Sequence, residues 1–377
     1  MIDFERRLRS LKDRRQGLRE QAIYESMDSI SANQAILKGS DIREKESYER
    51  LNEKAGVKYA VGAMAAVEEK YTQKSIAEGE RVADSLIKSL TNRGEDVGKR
   101  IQGSVALDIH IKGHSDVDML ILVNNPVNVE YPKVNESFYT PATDHRSLIE
   151  IARDVRTKSE DILPVNFPAA DVDCSNNKSI AMEGGSLQRK VDIVPAIWFD
   201  SIPYQRSKEE HDRGVKIYHK GEHEFILNYP FKHIKLINDK DNAYSGNLKC
   251  VIRLMKNIVA DMPEYKHRVA KRLSSFDLAA LAYHMNHNDL SVPTYARLGL
   301  VETLRMHLLI INSSEAYRNM LSVPDETRKI FDSDEKVEAL QILTKEVEDL
   351  AQAIFKELRP FATHYDSSEF QQKQVWL

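Results

Sequence analysis

Two aspartates open a run of apolar, β-branched residues in the middle of the chain. Asp116 and Asp118 flank the first residue of Val117–Val123, whose composition is typical of a buried strand. Because side chains alternate between the two faces of a strand, carboxylates two residues apart project to the same side. Two such carboxylates repel each other unless a cation lies between them, and Mg²⁺ prefers oxygen ligands of this kind. The pair therefore predicts a divalent metal site.

An Asp-x-Asp pair is a weak signal by itself, because the chain contains four of them. Asp171/Asp173 also opens a predicted strand and is the serious competitor. The other two pairs have polar, turn-like neighbours and are predicted to lie in solvated loops: Asp239/Asp241 and Asp332/Asp334.

A glycine–serine pair distinguishes the first acidic pair from its competitors. Gly103 and Ser104 lie about one strand and one turn upstream of Asp116. Glycine allows the backbone to approach a phosphate closely, and serine adds a hydroxyl and an N–H that can hold it. A phosphate-binding turn followed by two carboxylates is typical of metal-assisted phosphoryl or nucleotidyl transfer. The alternative is a structural turn that precedes a solvated strand end.

A third carboxylate would complete a two-metal site, and Asp192 is the best candidate for it. Asp192 lies inside the apolar segment Val191–Phe199, where an unpaired charge would be costly. Two ions held by three carboxylates can stabilise both the attacking and the leaving oxygen of a displacement. The structural alternative is a buried salt bridge from Asp192 to Arg189 or Lys190, and Asp173 is the alternative third carboxylate.

These residues need a sheet to position them, and the sequence predicts one between two helical regions. Residues 1–100 are predicted to be mostly helical, with one long amphipathic helix marked by apolar residues at helical spacing: Ala60, Met64, Val67, Tyr71, Val82, Leu86 and Leu90. Short strands are then predicted, with a helix over Arg146–Leu163 among them: Val117–Val123, Val172–Cys174, Ser179–Met182 and Val191–Phe199. Past residue 200 four helices follow, marked by Leu248–Val259, Phe276–Tyr283, Val301–Ile311 and Val337–Ile354. The order predicts an α+β enzyme with two lobes, 1–204 and 205–377.

Composition excludes several other classes of protein. The 377 residues carry a net charge of −4, with 41% hydrophobic and 30% charged residues, which is ordinary for a globular protein. No apolar stretch approaches the ~18–20 residues of a membrane helix, and the charged N-terminus is not a secretion signal. The two cysteines, Cys174 and Cys250, predict neither a disulfide framework nor a zinc site, so we expect a cytoplasmic protein.

The three motifs together resemble those of a known superfamily. GS, then SDVD at the start of an apolar strand, then a later VDIVP strand are similar to the polymerase-β-like nucleotidyltransferases. The closer resemblance is to the branch that includes oligoadenylate synthase, cyclic GMP–AMP synthase and the bacterial cyclic-oligonucleotide synthases (CD-NTases). It implies a polymerase-β-like mixed sheet with a long N-terminal helix, an oligoadenylate-synthase-like C-terminal helical bundle and one cleft between the two lobes.

The resemblance extends into the helical half of the chain. Gly246–Asn257 is similar to the family's helix whose late lysine holds the donor triphosphate, which implies this role for Lys256. Leu273–Leu281 is similar to the segment that contacts phosphate and stacks on a base, which implies Ser275 and Phe276. From the residues alone, Lys256 fits a solvated helix face and Phe276 fits a core. Ser275 lies at a predicted helix start, which favours contact with phosphate.

The implied function is synthesis of a cyclic di- or trinucleotide second messenger, in antiphage defence. Two Mg²⁺ ions, with Mn²⁺ as a substitute, would bind Asp116, Asp118 and Asp192, and a ribose hydroxyl would attack an α-phosphate with release of pyrophosphate. The implied partners are nucleoside triphosphates, ATP among them, a cyclic-nucleotide-responsive effector and a regulatory protein. Without a cysteine-rich insertion, zinc-dependent DNA sensing is not expected. The alternatives are nucleotide addition to an RNA end or a protein, and an inactive nucleotide-sensing module.

Overall fold

The structure is a computed structural model that describes residues 2–16 and 45–375. Its helices, in chain order, are α1 (Phe4–Gln16), α2 (Ser47–Arg50), α3 (Ala55–Met64), α4 (Glu69–Asn92), α5 (Gly103–Ala106), α6 (Leu148–Asn166), α7 (Ile202–Ser207), α8 (Pro230–Ala243), α9 (Asn247–Ala260), α10 (Glu264–Ala270), α11 (Ser275–Tyr283), α12 (His287–Leu290), α13 (Gly299–Ser313), α14 (Glu315–Met320), α15 (Asp334–Leu358) and α16 (Ser368–Gln372). Short 3₁₀ helices occur at Glu136–Phe138, Glu210–Asp212 and Thr294–Ala296. The strands are β1 (Val97–Gln102), β2 (Val117–Val129), β3 (Asp171–Asp173), β4 (Ile180–Glu183), β5 (Val191–Asp200), β6 (Gly214–His219) and β7 (Glu224–Asn228).

The chain divides into two compact units. The sheet unit comprises Glu68–Asp108 and Ser115–Asn238, and it contains every strand given above. The helical unit comprises residues 1–67, Ile109–His114 and residues 239–377. This division differs from the expected one at residue 204, because residues 2–16 and 45–67 cluster with the C-terminal helices and the sheet continues past residue 204.

The sheet unit is built around a mixed sheet. Its strand order is β1-β2-β5-β4-β3, and β6 pairs with β5 and with β7. The pairing of β2 with β5 is parallel, whereas β1 with β2, β3 with β4, β4 with β5, β5 with β6 and β6 with β7 are antiparallel. The mixed sheet and the C-terminal helical region confirm the predicted α+β class.

Strand β2 is apolar throughout its first half because both of its faces are buried. Met119 and Ile121 belong to the core that contains Leu86 of α4, whereas Leu120 and Leu122 belong to a second core on the other face. A strand buried on both faces has no polar alternation, which explains the continuous apolar run in the sequence. The carboxylates at its start are therefore attached to a strand that is buried on both faces.

The predicted long N-terminal helix is interrupted, so the prediction of one continuous helix was wrong. Helix α3 ends at Met64, and the next residue, Ala65, is already extended, with ψ 141°. Helix α4 begins at Glu69, and its buried residues keep the helical spacing down to Leu90. No proline or glycine marks the break at residues 65–68, so the sequence carried no signal for it.

The four predicted strands are present to within two residues at their starts, but three other strands were missed. Strands β6 and β7 lie in the region predicted to be helical, which was wrong. Val215 and Ile217 of β6 alternate with Lys216 as a half-buried strand requires, so a signal for β6 existed. Strand β1 contains Lys99 and Arg100 and lies at the end of the β1-β2-β5-β4-β3 order, where polar residues are common.

Buried ion pairs connect distant parts of the helical unit. Arg7 of α1 forms an ion pair with Glu346 of α15, whose side chain is 1% exposed. Lys266 donates to the other carboxylate oxygen of Glu346 at 2.6 Å. Arg14 pairs with Asp261 at 2.8 Å, and Tyr59 donates to the same aspartate at 3.0 Å. These contacts attach the first helix to the C-terminal helices. All four helices predicted in the C-terminal half are observed, as α9, α11, α13 and α15.

Within residues 2–16 and 45–375, no helix combines the length and the apolar composition needed to cross a membrane.

Removal of the Glu346 carboxylate should destabilise the helical unit. Glu346→Ala leaves Arg7 and Lys266 without their buried partner, and losses of this kind cost about 3–5 kcal/mol. Glu338→Ala is the matched control, because Glu338 is an exposed glutamate on the same helix and such changes stay within about 0.5 kcal/mol. Urea unfolding followed by circular dichroism measures both variants. Equal midpoints for E346A and E338A would contradict the structural role of this ion pair.

Candidate active site

Three carboxylates lie together at the start of two neighbouring strands. Asp118 of β2 is directly in register with Asp192 of β5, and the two strands are parallel, so both side chains point to the same side of the sheet. Asp116 precedes Asp118 by two residues and lies immediately before the strand. The backbone N–H of Val117 donates to the carbonyl oxygen of Lys190 at 3.1 Å, which fixes the relative position of the two chain segments here.

The three carboxylates are half-buried, and this raises the pKa of two of them. Burial, and then the negative charge of Asp116, raise the pKa of Asp192 to about 6. A hydrogen bond from the Ser179 hydroxyl at 3.3 Å opposes this rise in part. Burial also raises the pKa of Asp116, against the nearby charge of Lys190. The charge of Asp116 therefore destabilises the ionised form of Asp192, and a bound cation would relieve this repulsion.

The alternative reading of Asp192 as half of a buried salt bridge was wrong. Lys190 forms its ion pair with Glu183. The guanidinium of Arg189 lies over the ring of Tyr71, with 3.8 Å between its central carbon and the ring centroid. In the part of the chain that the structure describes, no lysine or arginine forms an ion pair with Asp192. The carboxylate of Asp192 therefore has no ion-pair partner among the described residues and can bind a cation.

The predicted glycine–serine turn lies directly against the carboxylates. Gln102, the last residue of β1, is in register with Asp118, and Gly103 follows it with a φ of +74°. A Cβ atom at Gly103 would lie 2.1 Å from Oδ2 of Asp118, so only glycine fits beside this carboxylate. Ser104 is half-buried in the first turn of α5. Two motifs that the sequence separates by a dozen residues are therefore in contact.

The competing pair Asp171/Asp173 lies elsewhere on the sheet. Both residues are exposed on β3, and β4 separates Asp173 from Asp192. Hydrogen bonds from the hydroxyl and the backbone N–H of Ser175 lower the pKa of Asp173, so its carboxylate is already stabilised within a turn. Of the two candidates for the third carboxylate, only Asp192 is adjacent to Asp118.

The remaining two acidic pairs have structural surroundings. Asp239 and Asp241 lie in helix α8, where the buried Asp241 accepts a hydrogen bond from the backbone N–H of Lys249 at 2.8 Å. The prediction of a solvated loop was wrong there, because the side chain connects two helices. Asp332 lies in an exposed loop and Asp334 begins α15, in agreement with solvated surroundings.

Lys256, which the resemblance implies in triphosphate binding, belongs to the helical unit. It lies on α9 with 6% of its surface exposed, so a solvated helix face was the wrong alternative. Its neighbours are cationic as well. Burial, together with the charges of Lys256, Arg253, Arg15 and Lys112, lowers the pKa of His110 to about 4. Arg15 is itself paired with Glu46 at 2.6 Å, so a carboxylate offsets part of this positive charge.

Ser275 and Phe276 also belong to the helical unit, at the start of α11. The capping box predicted from Ser274 and Asp277 is observed, with mutual hydrogen bonds of 3.2 and 3.0 Å. Ser275 is exposed, and Phe276 is half-buried rather than a core residue. The guanidinium of Arg328 lies over the Phe276 ring, 5.6 Å from its centroid.

The sequence did not point to Ser179 as a contact of the carboxylates. Its hydroxyl bonds Asp192 because β4 pairs with β5, which places residue 179 beside the site. A serine before a short strand has no distinctive spacing, and only the strand pairing gives it this position.

The three carboxylates meet the requirements of a divalent metal only together with ligands from water or substrate. In residues 2–16 and 45–375, no group of three or more His, Cys, Asp or Glu side chains is arranged to hold an ion as a set. Mg²⁺ in phosphoryl-transfer sites takes only one or two protein carboxylates, and water and substrate phosphates complete its coordination. The in-register pair of Asp118 and Asp192, beside the charge of Asp116, meets that smaller requirement.

Comparison with known proteins finds relatives along nearly the whole chain. A family profile for the cGAS/DncV-like nucleotidyltransferase C-terminal helical domain matches residues 235–354. A cyclic dinucleotide synthase CdnE from Yersinia aleksiciae is 36% identical over 378 residues, covering 97% of this chain and 96% of the relative. A c-di-GMP synthase from a Lachnospiraceae bacterium is 30% identical, covering 77% and 86% respectively.

A solved structure is similar along most of both chains. The STING-associated CdnE c-di-GMP synthase from Capnocytophaga granulosa superimposes with a TM-score of 0.68 at 26% sequence identity. The match covers 93% of this chain and 98% of that one.

The contact between Gly103 and Asp118 predicts a specific steric cost. Gly103→Ala should lower the melting temperature more than Gly94→Ala. Both residues have positive φ values, +74° and +84°, which cost an alanine about 1–2 kcal/mol. Only Gly103 adds a clash, since a Cβ at Gly94 has no described atom within 4 Å. In an Asp118→Ala background most of the excess cost of G103A should disappear. An excess that persists there would show that the clash lies elsewhere.

The raised pKa of Asp192 predicts the sign of a stability change. Its folded-state pKa of about 6 lies above the ordinary 3.8, so the stability it contributes is lost as the pH rises through 6. Asp192→Asn should therefore raise the melting temperature in EDTA by a few degrees, more at pH 8 than at pH 5.

Asp173→Asn is the control of opposite sign. Hydrogen bonds lower the pKa of Asp173, so its ionised form contributes stability at neutral pH, which is lost as the pH falls below 3.8. D173N should therefore not stabilise the protein at pH 8. A D192N variant that is less stable than the wild type at pH 8 would contradict the electrostatic account.

Proposed function

Because the chain belongs to the bacterial CD-NTase family of nucleotidyltransferases, we propose that it joins nucleoside triphosphates into a cyclic di- or trinucleotide. The observation that carries this proposal is the group of Asp116, Asp118 and Asp192 beside the turn at Gly103, in a chain matched over 97% of its length by a cyclic dinucleotide synthase. In each step a ribose hydroxyl oxygen forms a bond to an α-phosphorus, and the bond to the departing pyrophosphate breaks.

The residues of the sheet unit supply the charge that this reaction needs. Asp116, Asp118 and Asp192 would hold divalent cations, which we propose to be two Mg²⁺ ions or Mn²⁺ in their place. Such cations neutralise the triphosphate and lower the pKa of the attacking hydroxyl. Gly103 brings backbone close to the carboxylates, and Ser104 can donate to a phosphate oxygen from the first turn of α5. Ser179 keeps Asp192 oriented.

Three residues of the helical unit are proposed to contact the nucleotide. Lys256 lies among buried cations, an environment that favours a phosphate group. Ser275 is exposed at the beginning of α11, and its hydroxyl is accessible to a ligand. The half-buried ring of Phe276 is large enough to stack on a base. These roles rest on the family resemblance and on the burial of each side chain.

Purine nucleotides are the proposed substrates. ATP is proposed from the family resemblance, and GTP because two relatives, from Lachnospiraceae and Capnocytophaga granulosa, are named c-di-GMP synthases. We further propose that the product is a second messenger in antiphage defence, read by a cyclic-nucleotide-responsive effector and controlled by a regulatory protein. The description of the Capnocytophaga enzyme as STING-associated is consistent with an effector of this kind. A cytoplasmic location is proposed, consistent with the free thiols of Cys174 and Cys250.

A product assay tests the proposal. Purified protein is incubated with labelled ATP, GTP, CTP and UTP and MgCl₂, then treated with phosphatase, and resistant small products are separated. We expect a resistant cyclic product that EDTA abolishes. Asp116→Asn/Asp118→Asn should reduce its formation at least about 100-fold, because groups that stabilise transition-state charge contribute at this level. The matched control is Asp171→Asn/Asp173→Asn, which should retain activity because this pair lies on the exposed strand β3.

The other outcomes distinguish the alternatives. Product formed only when RNA is added would favour nucleotide addition to an RNA end, and label on the polypeptide would favour modification of a protein. Nucleotide binding without any product, at every metal and nucleotide combination, would favour a sensing module. Equal loss of activity in both Asp-to-Asn double variants would contradict the assignment of the site to Asp116 and Asp118.

A further inference from the structure

Gln102 lies in the same row as the carboxylates. It ends β1 and is directly in register with Asp118, while Asp118 is in register with Asp192 on the other side. Directly opposed residues on paired strands project to the same face, with Cβ atoms about 5 Å apart. Gln102, Asp118 and Asp192 therefore occupy adjacent positions on three neighbouring strands, and the carboxamide is next to an acidic pair.

The fold itself gives no reason for a glutamine at this position. Its side-chain oxygen, Oε1, is buried and has no hydrogen-bond partner among the residues that the structure describes. Gln102 occupies the N-cap position of α5, but its side chain makes no capping hydrogen bond there. A buried acceptor without a donor is unfavourable, and native proteins contain few of them. An acceptor beside two carboxylates is more unfavourable still, unless a hydrogen-bond donor lies between them.

We propose that Gln102 is a further positioning residue of the active site. Its Oε1 accepts a hydrogen bond from a water molecule in the coordination shell of the divalent cation at Asp118. The inference rests on the proposed function. Mg²⁺ keeps several of its waters when it binds to protein, and these waters are donors that need acceptors in the surrounding shell. The orphaned oxygen at Gln102 is placed to supply one.

The neighbouring side chains cannot donate a hydrogen bond to Oε1 of Gln102, which favours a donor that arrives with the bound cation. Ionised carboxylates accept hydrogen bonds and do not donate them, so Asp118 and Asp192 cannot satisfy Oε1 of Gln102. Gly103 has no side chain, and Ser179 already donates to Asp192. No described residue donates to Oε1, so the donor is left to the bound cation and its water.

The test measures metal binding without nucleotide. The melting temperature of the full chain is titrated with MgCl₂ after EDTA treatment and dialysis, for the wild type, Gln102→Leu, Gln102→Glu and Asp118→Asn. Gln102→Leu removes the acceptor and keeps the volume. Gln102→Glu keeps an acceptor at the same place. Gln188→Leu, at an exposed glutamine of the same unit, controls for the loss of a carboxamide.

We expect the MgCl₂ concentration for half of the stabilisation to rise about 10–100-fold in Q102L, the usual effect of removing an outer-shell partner of a metal. Q102E should restore wild-type affinity or exceed it. Without metal, the melting temperature of Q102L should be no lower than that of Q188L, because leucine at position 102 removes the buried acceptor that has no partner. The MgCl₂ requirement of product formation should shift in parallel.

Two results would overturn the inference. A wild-type MgCl₂ response in Q102L, or a metal-free melting temperature well below that of Q188L with unchanged affinity, would assign Gln102 a purely structural role. In both cases a loss of the response in D118N would leave the proposed function intact. If D118N also keeps the wild-type response, the cation binds elsewhere, and both the positioning role and the proposed metal site fail.

Discussion

Parallel pairing of β2 with β5 is the constraint on which the candidate site depends. A segment of 61 residues, which includes helix α6 and the β3–β4 hairpin, separates Val117–Val129 from Val191–Asp200. The two strands nevertheless lie side by side with their first residues in register. This register places Asp118 opposite Asp192. A shift by one residue would turn one of the two carboxylates to the other face of the sheet, because side chains alternate with a period of two. The register of the two strands therefore determines whether the two carboxylates lie together. The buried apolar residues of both strands fix this register.

Burial of those apolar residues offsets the electrostatic cost of holding the carboxylates of Asp116 and Asp192 close together. Residues of β2 enter two cores, one against α4 and α6 and one on the opposite face, so the strand cannot slide without exposing one of them. The same rigidity holds Asp116 and Asp192 close enough to raise the pKa of Asp192 to about 6. Such stored unfavourable energy is common at functional sites, where a ligand relieves it.

The sequence predicted which acidic residues and which glycine lie together better than it predicted their surroundings, for physical reasons. Asp116, Asp118 and Gly103 follow from local rules, since strand alternation and glycine geometry act over a few residues. The contact of Gly103 with Asp118 and the hydrogen bond of Ser179 to Asp192 depend on strand pairing, which has no local signal. The break after Met64 lacked a helix-breaking residue, and β6 was missed although its residues alternate. The burial of Lys256 is likewise a property of the helical packing, which spacing alone does not reveal.

The order of segments in the helical unit has a consequence for synthesis on the ribosome. Its helices α1 and α3 emerge early, whereas the C-terminal part of the unit begins about 170 residues after residue 67. At about 5–20 residues per second, the first helices wait roughly 10–30 s for those partners. The sheet unit is complete in the meantime, because its last residue is Asn238. Arg7 cannot meet Glu346 until α15 has been made. The nascent chain therefore carries the buried apolar residues of α1 and α3 without their C-terminal partners, and assembly of the helical unit is limited by translation of the C-terminal half.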